Sequence, residues 1–287
     1  LADSLIEHLP QDPARRNAIL AAILHPDEVG EGERQTDERG VASWGIWPLT
    51  TVVGRVGLDD FEASLALLRL MTMRHTSEFD IRPFLIADQS HALSIIETWV
   101  NDENHHVRRL ASEGTRPRLP WGVKLPALCD DPAPILPILT ALRDEPSDYV
   151  RRSVANHLND ISQDHPDLAV AIATDWAKGA GKQRMALLRH ACRNMIKAGR
   201  PEVLAIFGFG PAKVEIGAIA LSSINIAMGE ALEFAAKITS TGTKPQNLSI
   251  DYVVHFLKAN GRTAPKVFKG GKVKITPDET ITFTRRH

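Results

Sequence analysis

The stretches "WVNDENHHVRRLASE" (residues 99–113) and "LRDEPSDYVRRSVAN" (residues 142–156) are two versions of one pattern, and this repetition decides the fold. The VRR triplet at 107–109 in the first stretch matches the VRR triplet at 150–152 in the second, an offset of 43 residues. In each stretch a turn with acidic residues precedes a segment of helical periodicity. Such an offset is typical of stacked pairs of helices.

Helical periodicity extends over the rest of the chain up to about residue 226. Segments such as "FEASLALLRLMTMR", "ILPILTALR" and "RMALLRHACRNMI" place apolar residues three and four positions apart, and turns that carry Pro, Asp or Gly separate them. Each helix has one apolar face, which it can bury against its neighbours in the stack. The sequence therefore predicts a mainly α protein built as a HEAT-like α-helical solenoid.

Near residue 230 the apolar period changes to two. The segments "EALEFAAKITSTG" and "NLSIDYVVHFLK" alternate in the manner of half-buried strands, and turn sequences such as "ANGRTAPK" and "KGGK" follow them. We predict a helical domain over residues 1–228 and a small immunoglobulin-like β-sandwich over residues 229–287. A complete sandwich of this type needs roughly 100 residues, so we expect this one to be incomplete.

The composition indicates a globular protein of an intracellular kind, with 287 residues, 43% hydrophobic and 24% charged. Two distant cysteines, Cys129 and Cys192, predict reduced thiols in a cytoplasmic protein. No apolar run reaches the about 20 residues of a membrane span, and no phosphate-binding loop or dinucleotide motif predicts a nucleotide cofactor. His105 and His106 point about 100° apart on a helix, so we expect no shared metal ion.

Charge is segregated along the chain, although the formal net charge is only -1. Residues 1–40 hold nine acidic residues against four arginines, whereas 178–200 hold seven Lys or Arg and 258–274 hold six, both without an acid. We expect one basic surface, while a solvated helix face explains any single block equally well. Within the second block, four cations are predicted to follow one helix face: Lys182, Arg189, Arg193 and Lys197.

Acidic residues lie among the arginines of the two repeat units. Arg109 and Glu113 are four residues apart, which is also the spacing of an ordinary surface ion pair worth a few tenths of a kcal/mol. Glu113 corresponds to Asn156 in the second unit, and Asp160 lies one turn further on the same face. Because neighbouring helices stack about 8 to 10 Å apart, we expect Glu113 and Asp160 to share a groove flanked by Arg109 and Arg152.

Four sequence blocks are distinctive enough to compare with known families: "WPLTTVV" (47–53), "EFDIRPFL" (78–85), "NDENHHVRRLASEGTRPRLPWG" (101–122) and "VRRSVANHLNDISQDHP" (150–166). They resemble the AlkC branch of the bacterial DNA alkylation repair glycosylases, HEAT-like relatives of AlkD. Residues 240–269 likewise resemble the immunoglobulin-like C-terminal domain that many members carry. In that family the β domain usually continues beyond the position where this chain ends.

The resemblance implies a monofunctional DNA glycosylase that hydrolyses the N-glycosidic bond of N-alkylated bases such as 3-methyladenine. Its implied partner is double-stranded DNA, which it is expected to bind as a monomer, without a cofactor and without full flipping of the base. An alkylated purine is already cationic and leaves readily. The remaining task, stabilising an oxocarbenium-like sugar and positioning water, suits carboxylates.

Matched position by position, the resemblance places catalytic carboxylates at Glu113, Asp160 and Glu78, and a lesion or sugar contact at Trp121. Simpler alternatives remain open: Glu78 as an acid at a helix start, Asp160 as a cap or a partner of Arg152, and Trp121 as a buried loop anchor. Cations are candidates for phosphate contacts: Arg108, Arg109, Arg116, Arg118, Arg151, Arg152, Lys182, Arg189, Arg193 and Lys197.

A non-catalytic HEAT-repeat scaffold that binds DNA or protein is the alternative function, because the fold alone does not decide between them. Glu113 and Asp160 discriminate between the two hypotheses. A scaffold for DNA gains nothing from carboxylates beside phosphates, whereas a glycosylase needs them at the sugar.

Overall fold

The computed structural model describes residues 1–27, 35–227 and 229–287. It divides into two compact units, Leu1–Asn194 and Met195–His287. The first unit is helical and the second is mainly β, so the predicted fold class, mainly α with a small immunoglobulin-like β region, is confirmed. The boundary predicted at 228/229 falls inside the second unit and stays a prediction from the sequence. Within the described residues, no helix is both long enough and apolar enough to cross a bilayer.

Short helices build the first unit. Prolines open several of them, where a missing N–H is tolerated. The side chains of Asp12, Asp88 and Asn104 cap the helices that begin directly after them by accepting a backbone N–H, and the helix after Asp12 also begins with a proline. The helices are α1 (Ala2–His8), α2 (Pro13–Ala22), α3 (Ile46–Val56), α4 (Phe61–Thr72), α5 (Arg82–Ala87), α6 (Gln89–Ile96), α7 (His105–Glu113), α8 (Pro126–Asp130), α9 (Leu136–Leu142), α10 (Asp148–Asp164), α11 (Pro166–Ala177), α12 (Lys182–Ala191) and, reaching into the second unit, α13 (Arg193–Lys197).

The core of the first unit lies between these helices. α4 packs against α7 and α7 packs against α10, so the two repeat stretches of the sequence are neighbours in space. Most of these helices, though not α1, bury apolar positions that their periodicity predicts, and each fully buried aliphatic or aromatic side chain contributes about 1.5–3 kcal/mol. The fully buried side chains include Leu65, Leu68, Met71, Phe84, Leu110, Val150 and Val154.

Hydrogen bonds repeat with the sequence. Nη1 of Arg108 donates to the carbonyl oxygens of the residues six and five positions before it, at 2.7 and 2.8 Å. Nη1 of Arg151, its equivalent, donates to the corresponding two carbonyls at 2.8 and 2.5 Å. Arg69 of α4 also binds Asp102, and Arg108 of α7 binds Glu145 through both carboxylate oxygens. We call these two pairs the arginine ladder, because each helix thereby holds the turn that opens the next unit.

Two antiparallel sheets form the second unit, after the short helix α14 (Pro201–Ile206). In one sheet the central strand β3 pairs with β1, β2 and β6; in the other β4 pairs with β5. Ile238, Leu248 and Ile275 from β3, β4 and β5 form a small core, as the alternating pattern predicts. The strands are β1 (Val214–Ile216), β2 (Ala220–Leu221), β3 (Glu233–Ser240), β4 (Gln246–Leu257), β5 (Thr263–Ile275) and β6 (Thr280–Arg286).

Gly114 at the end of α7 provides a test of this packing. A Cβ atom at this position would lie 2.1 Å from Cδ1 of Ile81, which is fully buried. We expect Gly114→Ala to lower the free energy of unfolding by about 1–3 kcal/mol, measured by urea denaturation. Gly181→Ala is the matched control, because no atom lies within 4 Å of its added Cβ. Equal stability of the two variants would contradict the tight α7 packing.

Candidate active site

Glu113 and Asp160 meet at one guanidinium group, that of Arg116. Nη1 of Arg116 donates to Oε1 of Glu113 at 2.6 Å, while its Nε and Nη2 donate to the two oxygens of Asp160 at 2.8 and 3.1 Å. All three side chains are only 5–7% exposed. Glu113 ends α7 and Asp160 lies on α10, so the packing of these two helices brings the acids of successive units together.

Arg109 connects Glu113 to the third acid, Glu78. Nη1 of Arg109 lies 2.5 Å from Oε2 of Glu78 and 3.0 Å from the Thr76 hydroxyl, and its Nη2 lies 3.6 Å from Oε1 of Glu113. The Thr76 hydroxyl also donates to Glu78 at 2.7 Å. The Arg109–Glu113 pair is largely buried, so it is not the surface ion pair that its spacing alone suggests.

We call Glu78, Glu113 and Asp160, with Arg109 and Arg116, the acid cluster. When every member is ionised, three carboxylates face two guanidinium groups, and the buried guanidinium of Arg82, which interacts electrostatically with Asp160 and Glu78, offsets the remaining negative charge. The negative charge is therefore local to the carboxylate oxygens, where burial leaves it weakly screened, so these oxygens attract a nearby positive group more strongly than they would in water. The arrangement is therefore suited to a reaction in which positive charge develops.

Burial and ion pairing oppose each other in the pKa values of these acids. Burial acts to raise the pKa of Glu113, but Arg109 and Arg116 outweigh it and hold the pKa below its usual value. For Asp160 burial prevails over the hydrogen bonds from Arg116, and the pKa is raised. The neighbouring imidazole of His157 is fully buried, and burial lowers its pKa to about 3. It is therefore neutral near pH 7 and adds no positive charge to the site.

Arg82, which the sequence analysis did not single out, holds the loop after α7. It is fully buried, and it donates to the carbonyl oxygens of Gly114 and Arg116 at 2.9 Å each and to that of Val123 at 2.5 Å. Burial, followed by repulsion from Arg116, lowers the pKa of Arg82 to about 10, so it remains charged near pH 7. Its position between Ile81 and Pro83 in "EFDIRPFL", an arginine in an otherwise mostly apolar run, could have indicated a buried cation.

Trp121 stands on the loop that Arg82 holds. The side chain is 99% exposed, so the alternative in which it anchors the loop in the interior is wrong. Its φ of 61° lies in the left-handed region, which is uncommon for residues other than glycine. Hydrogen bonds from Gly122 N to Leu119 O and from Leu125 N to Pro117 O maintain this turn. The backbone thus supports a conformation that presents an indole to solvent.

Tyr149 is a second residue of the site that sequence reasoning missed. The guanidinium carbon of Arg109 lies 4.8 Å from the centroid of its ring, which places Arg109 between an aromatic face and two carboxylates. The rings of His105 and His106 pack edge-on against the same tyrosine. The 43-residue offset aligns Tyr149 with His106, so the repeat could have indicated that Tyr149 belongs to the site. Among the described residues, no group of three His, Cys, Asp or Glu side chains could hold a metal ion.

Residues 78–195 match the family described as DNA alkylation repair enzyme, and residues 215–287 match the C-terminal immunoglobulin-like domain of the uncharacterised protein YhaZ. Pseudomonas fluorescens alkylpurine DNA glycosylase AlkC, solved bound to DNA containing an abasic site analog, is 37% identical; the match covers 85% of this chain and 68% of that one, with a TM-score of 0.80. The chain belongs to the AlkC family.

A curated relative of this AlkC-family chain is the uncharacterised protein YhaZ of Bacillus subtilis, 42% identical over 234 residues. The match covers 81% of the present chain and 65% of YhaZ, so the chain spans about two thirds of that relative's length. Both the helical unit and the β region thus have counterparts in known proteins.

Several predicted phosphate contacts of the AlkC-family chain lie inside the fold. Arg108, Arg109 and Arg116 are largely buried in ion pairs, Arg151 is directed to backbone carbonyls, and Arg118 binds Asp164 through both carboxylate oxygens. These positions suit structural pairing better than contact with a DNA strand. Two of them, Arg109 and Arg116, explain how the three carboxylates of the acid cluster can be buried together.

Other predicted cations lie at the surface. Arg152 is 75% exposed and pairs with Asp148, so it does not flank the acids as expected, and Asp160 binds Arg116 instead. A surface cavity of about 430 Å³ is lined by Arg151, Arg152, Lys182 and His190, among others. Arg189 is exposed as well.

The predicted single stripe of cations needs correction. α12 ends at Ala191, and Cys192, whose ψ of 7° departs from the helical value, separates it from the next helix. Arg193 and Lys197 belong to a separate short helix, α13, and Lys197 lies in the second compact unit.

Arg116→Met tests the shared guanidinium. The variant leaves two buried carboxylates without their common cation, and we expect a loss of about 3–5 kcal/mol in the free energy of unfolding near pH 7. Their folded-state pKa values should then exceed the unfolded values. Because such groups destabilise the fold as pH rises through the folded pKa, the deficit should be larger at about pH 8 than at about pH 5.

Arg118→Met is the matched control, because the Arg118–Asp164 pair is substantially more exposed. We expect it to change stability by at most about 1 kcal/mol. A deficit in Arg116→Met that is small or independent of pH would contradict the assigned ion pairs.

Proposed function

We propose that this protein is a monofunctional DNA glycosylase that hydrolyses the N-glycosidic bond of N-alkylated purines, such as 3-methyladenine, in duplex DNA. The observation that carries the proposal is the acid cluster, in which Glu113 and Asp160 share Arg116 and Glu78 shares Arg109. Support comes from the relative whose structure is that of an alkylpurine DNA glycosylase bound to DNA.

The chemistry asks the protein to stabilise a cation. An N-alkylated purine carries positive charge, and it leaves as a neutral base when its bond to the sugar breaks, so the charge passes to the sugar. We assign Glu113 to electrostatic stabilisation of this oxocarbenium-like sugar, because its lowered pKa keeps it ionised near pH 7. A general acid is unnecessary, because the leaving group needs no proton.

A water molecule completes the hydrolysis. We assign Asp160 to position this water and accept its proton as the oxygen bonds to the sugar carbon, because burial raises its pKa and makes it more basic than an ordinary aspartate. Glu78, which Thr76 and Arg109 hold in place, is assigned to contact the lesion or the DNA backbone at the lesion. The acid cluster holds arginines and no lysine, which favours hydrolysis over Schiff-base chemistry.

The small exposed edge of each carboxyl group favours contact with a sugar at the surface over insertion of a whole base. We therefore propose that the lesion is processed without full flipping. Trp121, exposed on its loop, is assigned to press against the sugar or base of the lesion. Phosphate contacts are assigned to the exposed cations Arg152, Lys182 and Arg189, which position DNA without reading its sequence.

Base release from N-methylated duplex DNA tests this function. We expect Glu113→Gln and Asp160→Asn each to slow single-turnover release roughly 100- to 1000-fold, as does removal of other preorganised electrostatic groups. Binding to DNA with an abasic-site analogue should change much less. Glu97→Gln, an exposed acid on the same helical unit, is the control and should release base at the wild-type rate. Strong, salt-dependent DNA binding by a wild-type protein that releases nothing would favour the scaffold function instead.

A further inference from the structure

Three aromatic rings outside the acid cluster form a stack. The ring centroids of Trp44 and Trp47 are 5.6 Å apart with planes inclined by 25°, and those of Trp47 and Phe79 are 5.9 Å apart with planes inclined by 12°. His75 leans against both tryptophans at 5.2 and 6.4 Å. We call Trp44, Trp47 and Phe79 the aromatic stack. Nearly parallel rings in succession have the geometry in which nucleobases also stack.

The outer end of the stack is open to solvent. Trp44 is 64% exposed and Trp47 is 42% exposed, whereas Trp99 and Trp176 are buried in the helical core. Exposed apolar side chains that occur together, rather than singly, mark a surface that binds something. A purely structural role in supporting the turn at 75–79 accounts for Phe79 and Trp47, but it does not explain why Trp44 extends the stack outward.

The backbone beside Trp44 is held in an unusual conformation. Ser43 has a φ of 51° although it is not glycine, and its N–H donates to the carbonyl of Arg74 at 3.2 Å. Such a conformation costs of the order of 1 kcal/mol and persists only where the surroundings enforce it. It fixes the start of the turn Ser43–Gly45 that carries Trp44. The exposed indole is thus placed by a strained and anchored residue, and not by a free loop.

The aromatic stack is continuous with the acid cluster. Phe79 directly follows Glu78, and His75 directly precedes Thr76, whose hydroxyl binds both Glu78 and Arg109. One short turn therefore presents a carboxylate of the acid cluster and a ring of the stack. Trp44, the exposed end of the stack, lies two ring spacings of 5.6 and 5.9 Å beyond Phe79, so a DNA strand that reaches Glu78 can extend to it.

We propose that the aromatic stack binds an unpaired nucleobase of the DNA, which stacks on Trp44 as a further ring. The inference rests on the proposed function for its DNA partner and deepens it by adding a base-binding site beside the sugar site. The base held there is the one opposite the lesion: it cannot re-enter the helix, so the lesion loses its pairing partner without being flipped or inserted into a pocket itself. Stacking of this kind tolerates any base, because every base has a π face.

Duplex DNA with one unpaired adenine tests the proposal, compared with the same duplex in which a thymine pairs with that adenine. We expect the wild type to prefer the adenine DNA in fluorescence anisotropy titrations. Trp44→Leu should weaken binding to the adenine DNA roughly tenfold and leave binding to the fully paired DNA unchanged, so the preference disappears. Trp44→Phe should retain most of the preference. Leu58→Ala, which also removes an exposed apolar side chain, is the control and should behave as wild type.

A measurement on the wild-type protein keeps the test independent of variant folding. With 2-aminopurine at the unpaired position, stacking on an indole should quench its emission when the protein binds. Absence of quenching, or a Trp44→Leu variant that keeps the preference for adenine DNA, overturns the proposal.

Base release from methylated DNA separates the two hypotheses. If wild type releases base while Trp44→Leu retains the wild-type preference, only the stacking inference fails. If wild type shows the adenine preference and the quenching but releases no base, only the glycosylase function fails.

Discussion

The site depends on one guanidinium group that two carboxylates share. Burying an unpaired carboxylate costs several kcal/mol, and burying two side by side costs more, because the charges repel each other. Arg116 removes both penalties by binding Glu113 and Asp160 with separate nitrogen atoms. The geometry requires α7 and α10 to pack closely and requires the loop after α7 to turn back at once. Arg82 enforces that turn by binding its carbonyl oxygens.

This arrangement explains how a protein with little net charge can prepare a site for a cation. The arginines around the acids, Arg82 included, balance their charge, so the attraction for a cation comes from the carboxylate oxygens themselves, which lie in a region of low screening. Because Arg109 lies between Tyr149 and two carboxylates, it is held in place rather than left free to swing into solvent. The carboxylates are thus oriented before any substrate arrives, which reduces the reorganisation that the reaction requires.

The helical periodicity correctly predicted the positions of side chains on helices, but it gave no information about side chains on loops. The 43-residue offset placed Glu113 and Asp160 on neighbouring helices, because equivalent positions of stacked units face each other. It could not place Arg116, which stands on a loop whose course is set by Arg82 and not by a helical repeat. The charge pattern of the sequence predicted a surface position for each candidate arginine, although several are internal partners of acids. The break between α12 and α13 was hidden for a similar reason, since both segments carry helical periodicity and only a local turn divides them.

The arginine ladder has a direction. Arg69 in α4 binds Asp102 of the next turn, and Arg108 in α7 binds Glu145 of the turn after that, so each unit supplies a cation to the unit that follows it along the chain. A ribosome produces the units in this same order. When a new acidic turn emerges, the guanidinium that it needs already stands on a helix made earlier. The ladder therefore favours assembly that proceeds alongside translation, one unit at a time, from the amino terminus.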